Sequence, residues 1–509
     1  MILVIDFGSQ YNQLIARRIR EHRVYCQIEP PGIEIEDIRA LAPEGLILSG
    51  GPASIYEKGS PKADDAIFEL GIPVLGICYG LHYMAGALGG RVHQAEKREY
   101  GLAELHIQHD TGIFKGIRSP TRCWMSHGDA IENPPPGFRA IGSTSNTRMA
   151  AIEDAGRKFY GVQFHPEVSH TVRGKKMLRN FLFEVCGCKR TWTMKSFMTQ
   201  AVAEIRSQVG DQRVILGLSG GVDSSVTAMV LHQAIGKNLI CIFVDNGLLR
   251  KGEAEEVKSV FKEHLKLNLR FVRARKRFLS RLKDVENPEK KRKIIGRTFI
   301  EAFEAEAGQL KDIGFLGQGT LYPDIIESQS TFGGPSVVIK SHHNVGGLPK
   351  KMRLKLVEPL KHLFKDEVRR LGKELGLPEG LIWRQPFPGP GLAIRIIGKV
   401  TQARLSVLRK ADGILLEEIR AAGLYKKLWQ SFAVLLPLKS VGIMGDQRTY
   451  EDIIAVRAVT SKDAMTADWA KLPHNLLGKI SNRIINEVRG VNRVVYDISS
   501  KPPSTIEWE

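Results

Sequence analysis

The sequence predicts an α/β protein of about three domains, and two features of the chain support this prediction. The first is its length of 509 residues, which exceeds the roughly 100–200 residues of an ordinary domain. The second is the alternation of short apolar runs with helical stretches. Apolar runs bounded by Gly and Pro are typical of buried strands in a mostly parallel sheet. The expected domains are residues 1–190, 191–384 and 385–509.

Composition narrows the class of protein. Hydrophobic residues make up 43% and charged residues 25%, as in soluble globular proteins, and no apolar run reaches the roughly 18 residues of a membrane span. The spacing of the six cysteines fits neither a disulfide framework nor paired zinc ligands. We therefore expect a cytoplasmic protein that has no membrane partner.

The net charge of +19 lies almost entirely after residue 190. A basic excess in one region indicates contact with polyanions, either nucleic acid or nucleotides that carry several phosphates. A solvated basic surface without any partner explains the charge equally well. The charge alone leaves these alternatives open.

The first domain is predicted from four apolar runs, which are residues 1–8, 45–51, 72–78 and 159–164. The third run ends at Cys78, which lies between Gly76 and Gly80 and before a helical stretch. A nucleophile between two glycines is typical of a sharp strand-to-helix turn, which leaves no room for neighbouring side chains. The helix N-terminus beside the sulfur favours the thiolate. The alternative is a small buried cysteine, which is the commoner role of this residue.

A general base for Cys78 is predicted at the end of the fourth run. His165 and Glu167 are two residues apart and therefore face the same side of an extended segment. Glu167 is expected to orient His165, which would accept the proton of Cys78, as in Cys–His–acid acyl transfer. A histidine next to a proline is otherwise more often structural. A cysteine turn and a strand-end His-x-Glu in one domain favour catalysis.

These residues, together with SGGP (49–52) and WMSHGD (124–129), resemble class I glutamine amidotransferases. The resemblance implies a triad of Cys78, His165 and Glu167 that hydrolyses glutamine, with oxyanion donors in the backbones of Gly51 and Tyr79. The sequence departs from the family at one position. Members usually have Gln at the position of His82, a change that leaves the triad intact but bears on how glutamine is held.

The second domain is predicted as a doubly wound sheet with strands at 214–218, 240–245 and 313–319 and a helix at 225–236. In such a sheet ligands bind at the carboxyl ends of the strands. The loop LSGGVDSS (218–225) offers open backbone N–H groups and serine hydroxyls at a helix start, which form an anion cradle. Asp223 within this cradle would repel phosphates unless a cation lies between them, and Mg²⁺ is therefore implied.

This loop lacks the Gly-Lys-Ser/Thr ending of the common ATPase motif and resembles the ATP pyrophosphatase family, which cleaves ATP between the α and β phosphates. A generic Gly-rich turn is the alternative. The resemblance implies that ATP is bound by the loop, that FVDNGLL (243–249) holds adenosine, and that Lys365 stabilises charge in the transition state. The residues assigned to ATP and pyrophosphate are Ser219, Gly220, Gly221, Val222, Asp223, Ser224, Ser225 and Lys365.

The third region begins with RQPFPGPGL (384–392), whose prolines and glycines predict a rigid irregular loop. This loop, KSHHNVGGLP (340–349), GDQRTY (445–450) and SSKPPSTIEWE (499–509) all resemble the GMP synthase family. The resemblance spans nearly the whole chain and implies an α+β dimerisation domain and a homodimer. It assigns contacts with xanthosine monophosphate (XMP) to Arg292, Gln385, Lys501 and Glu507. At position 385 family members commonly have His or an acid, so Gln385 keeps hydrogen bonding without charge.

The resemblance implies a ligase that uses ATP, Mg²⁺, XMP and glutamine, with no nucleic acid as partner. tRNA-modifying enzymes share the pyrophosphatase loop but do not need a glutaminase. NAD synthase, which also aminates an adenylated substrate, is the nearer alternative. The segment 270–297 carries twelve Lys and Arg residues against three acids, which predicts either a solvated helix face or a basic lid over phosphates.

Overall fold

The computed structural model of the chain describes residues 1–329, 354–444, 446–461 and 466–509. The motif at 340–349 and the first residue of GDQRTY lie outside the described residues. The chain forms two compact units, the first built mainly from Met1–Phe197 and the second from Met198–Tyr322 and the residues after 353.

The first unit contains a mixed sheet of nine strands in the order β2-β1-β3-β4-β9-β8-β7-β5-β6. Strands β2, β1, β3, β4 and β9 are parallel, and the remaining pairs are antiparallel. The strands are β1 (Ile2–Ile5), β2 (Cys26–Glu29), β3 (Gly45–Leu48), β4 (Val74–Ile77), β5 (Arg91–Ile107), β6 (Thr121–Asn133), β7 (Arg139–Ser143), β8 (Ala151–Asp154) and β9 (Phe159–Val162). The helices are α1 (Asn12–Glu21), α2 (Ile35–Leu41), α3 (Tyr79–Ala87) and α4 (Gly174–Asn180).

All four strands predicted in this region are present, as β1, β3, β4 and β9. They are fully buried along their length, which explains why they read as continuous apolar runs rather than as alternating patterns. The antiparallel half of the sheet was not predicted. Strands β5 and β6 are long and partly exposed, so they carry a weaker apolar signal.

The boundary between the two units falls within helix α5 (Met194–Val209). The first part of the second unit is a parallel sheet whose described strands run in the order β12-β11-β10-β13-β14. These strands are β10 (Arg213–Gly217), β11 (Leu239–Asp245), β12 (Leu269–Arg273), β13 (Ile313–Gly317) and β14 (Lys355–Val357). The helices of this part are α6 (Val222–Ile235), α7 (Glu253–Lys258), α8 (Arg275–Arg281), α9 (Pro288–Ala307), α11 (Lys365–Glu374) and α12 (Glu379–Ile382). Helix α10 (Tyr322–Gln329) starts at the last residue of this stretch, and its residues from Pro323 on are grouped with the first unit.

The chain order reverses on either side of β10, as in a doubly wound sheet. This confirms the predicted fold and places the loop after β10 at the switch point, where such sheets bind ligands. The basic segment 270–297 contributes the end of β12, helix α8 and the first half of α9.

The last part of the second unit is an antiparallel hairpin with helices packed against it. The hairpin is β15 (Gln430–Met444) with β16 (Gln447–Thr460), and β17 (Asp468–Trp469) and β18 (Val491–Tyr496) both pair with β16. Helices α13 (Gln402–Ala421) and α14 (His474–Glu487) complete this α+β part. Its buried residues join those of the parallel sheet in one hydrophobic core.

Candidate functional site

The cysteine turn after β4 has the strained geometry that a nucleophile turn requires. Cys78 has a φ of +49°, in the region that L-residues rarely adopt. A Cβ atom at Gly80 would lie 2.3 Å from the carbonyl oxygen of Leu48, and one at Gly76 would lie 2.7 Å from the carbonyl oxygen of Gly80. Both positions therefore require glycine, as the sequence pattern indicated.

His165 and Glu167 follow β9 and form a hydrogen-bonded pair. The ring Nδ1 of His165 lies 2.7 Å from Oε1 of Glu167, and the Glu167 side chain is fully buried. The backbone of His165 is held by Trp124, whose carbonyl accepts from its N–H at 3.0 Å, and by the hydroxyl of Thr171, which donates to its carbonyl at 2.6 Å. The backbone of His165 is thus held on both sides, and Glu167 orients its ring.

His165 also lies beside Cys78. A Cβ atom built at Gly50 would lie 3.1 Å from the ring of His165 and 3.7 Å from the Cβ atom of Cys78, so the two side chains are neighbours. Burial lowers the pKa of His165, but the charge of Glu167 and the hydrogen bonds to Cys78 and Glu167 outweigh burial and raise the pKa to about 11. An imidazolium therefore faces the sulfur at neutral pH, as Cys–His nucleophile pairs require.

The two expected oxyanion donors lie at the same edge of the sheet. Gly51 follows β3, Tyr79 begins α3 after β4, and β3 and β4 are parallel neighbours. A Cβ atom at Gly51 would lie 3.3 Å from the ring of Tyr79 and 2.7 Å from the carbonyl oxygen of Phe7. The close packing explains the glycine and brings both backbones next to Cys78.

His82 is buried one helical turn after Cys78. Its Nε2 atom lies 2.6 Å from Oε1 of Gln163, and the amide nitrogen of Gln163 lies 4.0 Å from the sulfur of Cys78. Burial lowers the pKa of His82 to about 4, although the Gln163 hydrogen bond opposes this, so the ring is neutral. The sequence analysis did not identify Gln163 as a site residue, although its position between a buried strand and His165 places it close to the triad.

The anion cradle forms at the switch point of the second sheet. Ser219 and Ser224 lie with their hydroxyl oxygens 2.9 Å apart, and the hydroxyl of Ser225 donates to the carbonyl of Gly221 at 2.6 Å. Gly220 has a φ of +77°, which favours glycine. Helix α6 begins at Val222, so the backbone N–H groups of its first turn are directed at the loop, where an anion binds favourably.

Asp223 in the first turn of α6 meets Lys365 at the start of α11. The ammonium of Lys365 donates to both carboxylate oxygens of Asp223, at 2.7 Å and 2.5 Å. Both side chains are partly exposed, Lys365 at 43% and Asp223 at 32%. The sequence alone had not indicated that these two residues, 142 positions apart, form a pair.

Arg384 was not singled out from the sequence, yet it holds the cradle. Its guanidinium donates to the carbonyl of Gly220 at 3.0 Å and to Glu253 at 3.0 Å, and also pairs with Glu256. These bonds tie the loop at 218–225 to the start of the Pro/Gly loop at 384–392. A change at Arg384 is therefore expected to disturb both loops.

A basic cleft of about 670 Å³ opens at the carboxyl ends of β11 and β12. Its lining includes Asp245 and four basic residues of the segment 270–297, namely Arg273, Arg275, Lys276 and Arg277. Part of the basic segment therefore faces a cleft rather than bulk solvent.

Three of the four residues assigned to XMP lie near the end of the chain or contact it. Arg292 on α9 donates to the backbone oxygen of Glu509, and the carboxylate of Glu507 accepts from Arg395 and Gln430. Lys501 is fixed through its backbone, which exchanges hydrogen bonds with Ala467 at 2.7 Å and 3.0 Å.

Gln385 is buried and most of its amide is used inside the fold. Its oxygen accepts from the backbone N–H and hydroxyl of Ser431, at 2.8 Å and 2.9 Å. Its nitrogen donates to the carbonyl of Tyr425 at 3.1 Å, which leaves one amide hydrogen for another partner.

Arg395 was missed by sequence reasoning and is fully buried. It binds Glu507 with two hydrogen bonds of 3.1 Å and 2.8 Å and stacks on Phe432 at 4.1 Å. A second fully buried cation, Lys291, pairs with Glu509 and donates to the carbonyl of Ile396 at 2.7 Å. The terminal segment, residues 499–509, is thus fastened to α9 and to the residues that directly follow the Pro/Gly loop.

No group of three His, Cys, Asp or Glu side chains suited to a metal ion occurs among the described residues. Within the same residues, no helix is both long and apolar enough to cross a membrane.

Three protein families match successive parts of the chain. Residues 3–185 match glutamine amidotransferase class-I, residues 192–281 match NAD synthase, and residues 417–508 match the GMP synthase C terminal domain. The glutamine-hydrolysing GMP synthase of Brachyspira hyodysenteriae is 58% identical over 100% of this chain and 99% of its own length, and that of Clostridium botulinum is 57% identical with the same coverage. A solved glutamine amidotransferase from Thermotoga maritima is 20% identical, covers 41% of this chain and 85% of its own, and has a TM-score of 0.28.

Proposed function

Because this chain belongs to the glutamine-hydrolysing GMP synthase family, we propose that it converts XMP to GMP with ATP, using ammonia taken from glutamine. The observation that carries the proposal is the presence in one chain of two complete sites. One is the Cys78–His165–Glu167 arrangement, and the other is the anion cradle around Asp223. Each site performs one half of a glutamine-dependent amination.

In the glutaminase half, the sulfur of Cys78 attacks the amide carbon of glutamine. The backbone N–H groups of Gly51 and Tyr79 stabilise the oxyanion that forms. His165 gives its ring proton to the departing nitrogen, which leaves as ammonia, and a thioester remains on Cys78. His165 then takes a proton from water, which attacks the thioester and releases glutamate. Glu167 holds the ring in the required orientation throughout.

In the synthetase half, the C2 oxygen of XMP attacks the α-phosphorus of ATP and pyrophosphate leaves. Ammonia then displaces AMP from C2 and gives GMP. The adenylation step is needed because AMP is a good leaving group, whereas the carbonyl oxygen of xanthine is not. The loop from Ser219 to Ser225 binds the phosphates, and Lys365 moves from Asp223 to the charge that develops on them.

A magnesium ion fits this cradle. Mg²⁺ in ATP-dependent enzymes is usually held by one or two carboxylates together with the substrate's own phosphates, and Asp223 is a partly exposed carboxylate whose present partner is a cation. When bound, the ion neutralises phosphate charge. Asp223 would be its ligand from the protein.

XMP, which accepts the ammonia, is proposed to bind at the terminal segment. Lys501 and Arg292 supply positive charge for the monophosphate of XMP, and Glu507 accepts from an N–H of the base. Arg395 and Gln430 hold the carboxylate of Glu507 in place. Gln385 contributes its remaining amide hydrogen and fixes Ser431. We propose that the protein has three domains, residues 1–190, 191–384 and 385–509. We also propose that it acts in the cytoplasm, because its six cysteines are free thiols.

The acceptor assignment predicts the outcome of a substrate panel. With ATP and ammonium salts, XMP should release AMP and pyrophosphate, whereas IMP should not, because only the xanthine ring carries an oxygen at C2. Deamido-NAD is the third substrate, since residues 192–281 match the NAD synthase family. Chromatography of the nucleotide products shows which of the three substrates is converted. Turnover of deamido-NAD without turnover of XMP would replace the proposed function with NAD synthesis.

We propose that the protein is a homodimer that pairs through its C-terminal part. Strands β15 and β16 expose large apolar side chains, among them Leu438, Val441, Ile443 and Tyr450, which are 57–76% exposed. Exposed apolar side chains grouped on a sheet mark an interaction surface. Sedimentation velocity of the intact protein should show a dimer, and Ile443→Asp should shift it towards monomer. A wild-type monomer at micromolar concentration would contradict the proposal.

A further inference from the structure

His82 is a buried titratable residue that the glutaminase steps above do not use. It lies on α3, one turn from the nucleophile, and is 4% exposed. Its ring faces Gln163, which follows β9 and is fully buried. Two further groups act on the ring electrostatically from β6: Asp129, which favours its protonation, and His127, which opposes it.

The short contact between His82 and Gln163 fixes the orientation of both side chains. The oxygen of a glutamine amide only accepts hydrogen bonds, so Nε2 of His82 must carry the hydrogen that it donates over 2.6 Å. With its oxygen committed to His82, the amide of Gln163 must direct its N–H groups elsewhere. The amide nitrogen is the atom that lies 4.0 Å from the sulfur of Cys78.

We propose that His82 is a positioning residue of the glutaminase site, which holds the Gln163 amide so that its N–H points at the sulfur of Cys78. The donor stabilises negative charge on the sulfur, both before attack and when the thioester breaks. This inference rests on the proposed glutaminase function and gives His82 no direct contact with glutamine. It also accounts for a histidine at a position where an amide side chain is usual in class I amidotransferases.

The alkylation rate of Cys78 measures the state of the sulfur without involving glutamine. Full-length wild-type protein and each variant are treated with iodoacetamide over a series of pH values from acidic to neutral, and the Cys78 peptide is quantified by mass spectrometry. His82→Leu removes the donor to Gln163 and should slow alkylation about tenfold at the acidic end of the series, where the rate follows the thiolate fraction; tenfold corresponds to about 1.4 kcal/mol. His82→Gln keeps a donor and should restore most of the rate.

Kinetics with glutamine separate positioning from substrate binding. His82→Leu should lower kcat for glutamine by a similar factor and leave KM within about twofold. Gln163→Leu should have the same effect, and the double variant should lose no more than the larger single loss, since both residues act through one contact. Met84→Leu, at another buried position of α3, is the matched control and should change neither alkylation nor kcat.

Three results would overturn the inference. The first is a raised KM for glutamine with unchanged alkylation and kcat, which would make His82 a glutamine ligand. The second is an additive double variant. The third is an equal loss of ammonia-dependent synthesis, which would show a general folding defect. Failure of the proposed glutaminase itself looks different, because glutamine hydrolysis would then survive removal of the Cys78 thiol.

Discussion

Replacing Cys78 by alanine should abolish GMP synthesis from glutamine and leave synthesis from ammonium salts intact. Cys78 is the protein's nucleophile in the proposed glutaminase steps, and loss of a catalytic nucleophile lowers kcat by about 10³-fold or more. The anion cradle and Lys365 belong to the second unit and do not depend on this thiol. Assays of AMP release with each nitrogen source measure the two activities separately.

Cys123→Ala is the matched control for this experiment. Cys123 is a fully buried cysteine of the same unit, and burial and the charge of Glu99 raise its pKa to about 12, so it has no role as a thiolate. It should retain both activities. A folded Cys78→Ala protein that loses the ammonia-dependent reaction as well, or keeps the glutamine-dependent one, would remove Cys78 from the proposed role.

Asp223→Asn should abolish synthesis from both nitrogen sources. The substitution removes the charge that holds Lys365 and the proposed magnesium ligand, at the point where the α and β phosphates must separate. Loss of one preorganised electrostatic group costs about 10²–10³-fold in rate. Glutamine hydrolysis measured without XMP should continue, because Cys78 and His165 are untouched.

Asp366→Asn is the control for Asp223. Asp366 is a partly exposed carboxylate next to Lys365 and pairs with Arg370 one turn along α11 at 3.1 Å. An exposed pair of this kind contributes little to stability, so Asp366→Asn should be nearly as active as the wild type. Comparable losses in both variants would mean that general charge near α11, rather than Asp223 itself, determines the rate.

The sequence was most informative where function imposes local geometry. The two glycines around Cys78 are required because a Cβ at either position would collide with backbone, and such constraints are visible as a short motif. The four buried strands of the first unit could also be predicted, because each is buried along its whole length and is therefore a continuous apolar run. The loop at 218–225 combines local glycines with the start of a helix, so its place at the carboxyl end of a strand could be predicted. Its position at the switch point could not, because that depends on which strands are neighbours in the sheet.

Contacts between residues that are distant in the sequence could not be predicted in this way. The contact of Asp223 with Lys365, of His82 with Gln163 and of Glu507 with Arg395 depends on which strands are neighbours in the sheets. The sequence does not reveal that Arg395 is buried, because a buried arginine and an exposed arginine look identical in it. The antiparallel strands β5 and β6 were missed because their partly exposed faces dilute the apolar pattern.

The central claim is that one protein moves the amide nitrogen of glutamine onto XMP at the expense of ATP. The direct measurement supplies amide-¹⁵N-glutamine, XMP, ATP and Mg²⁺, and analyses the products by mass spectrometry and chromatography. The account predicts GMP that carries ¹⁵N on its exocyclic amino group, with one AMP and one pyrophosphate for each GMP formed. Unlabelled GMP, or ADP and phosphate in place of AMP and pyrophosphate, would contradict it.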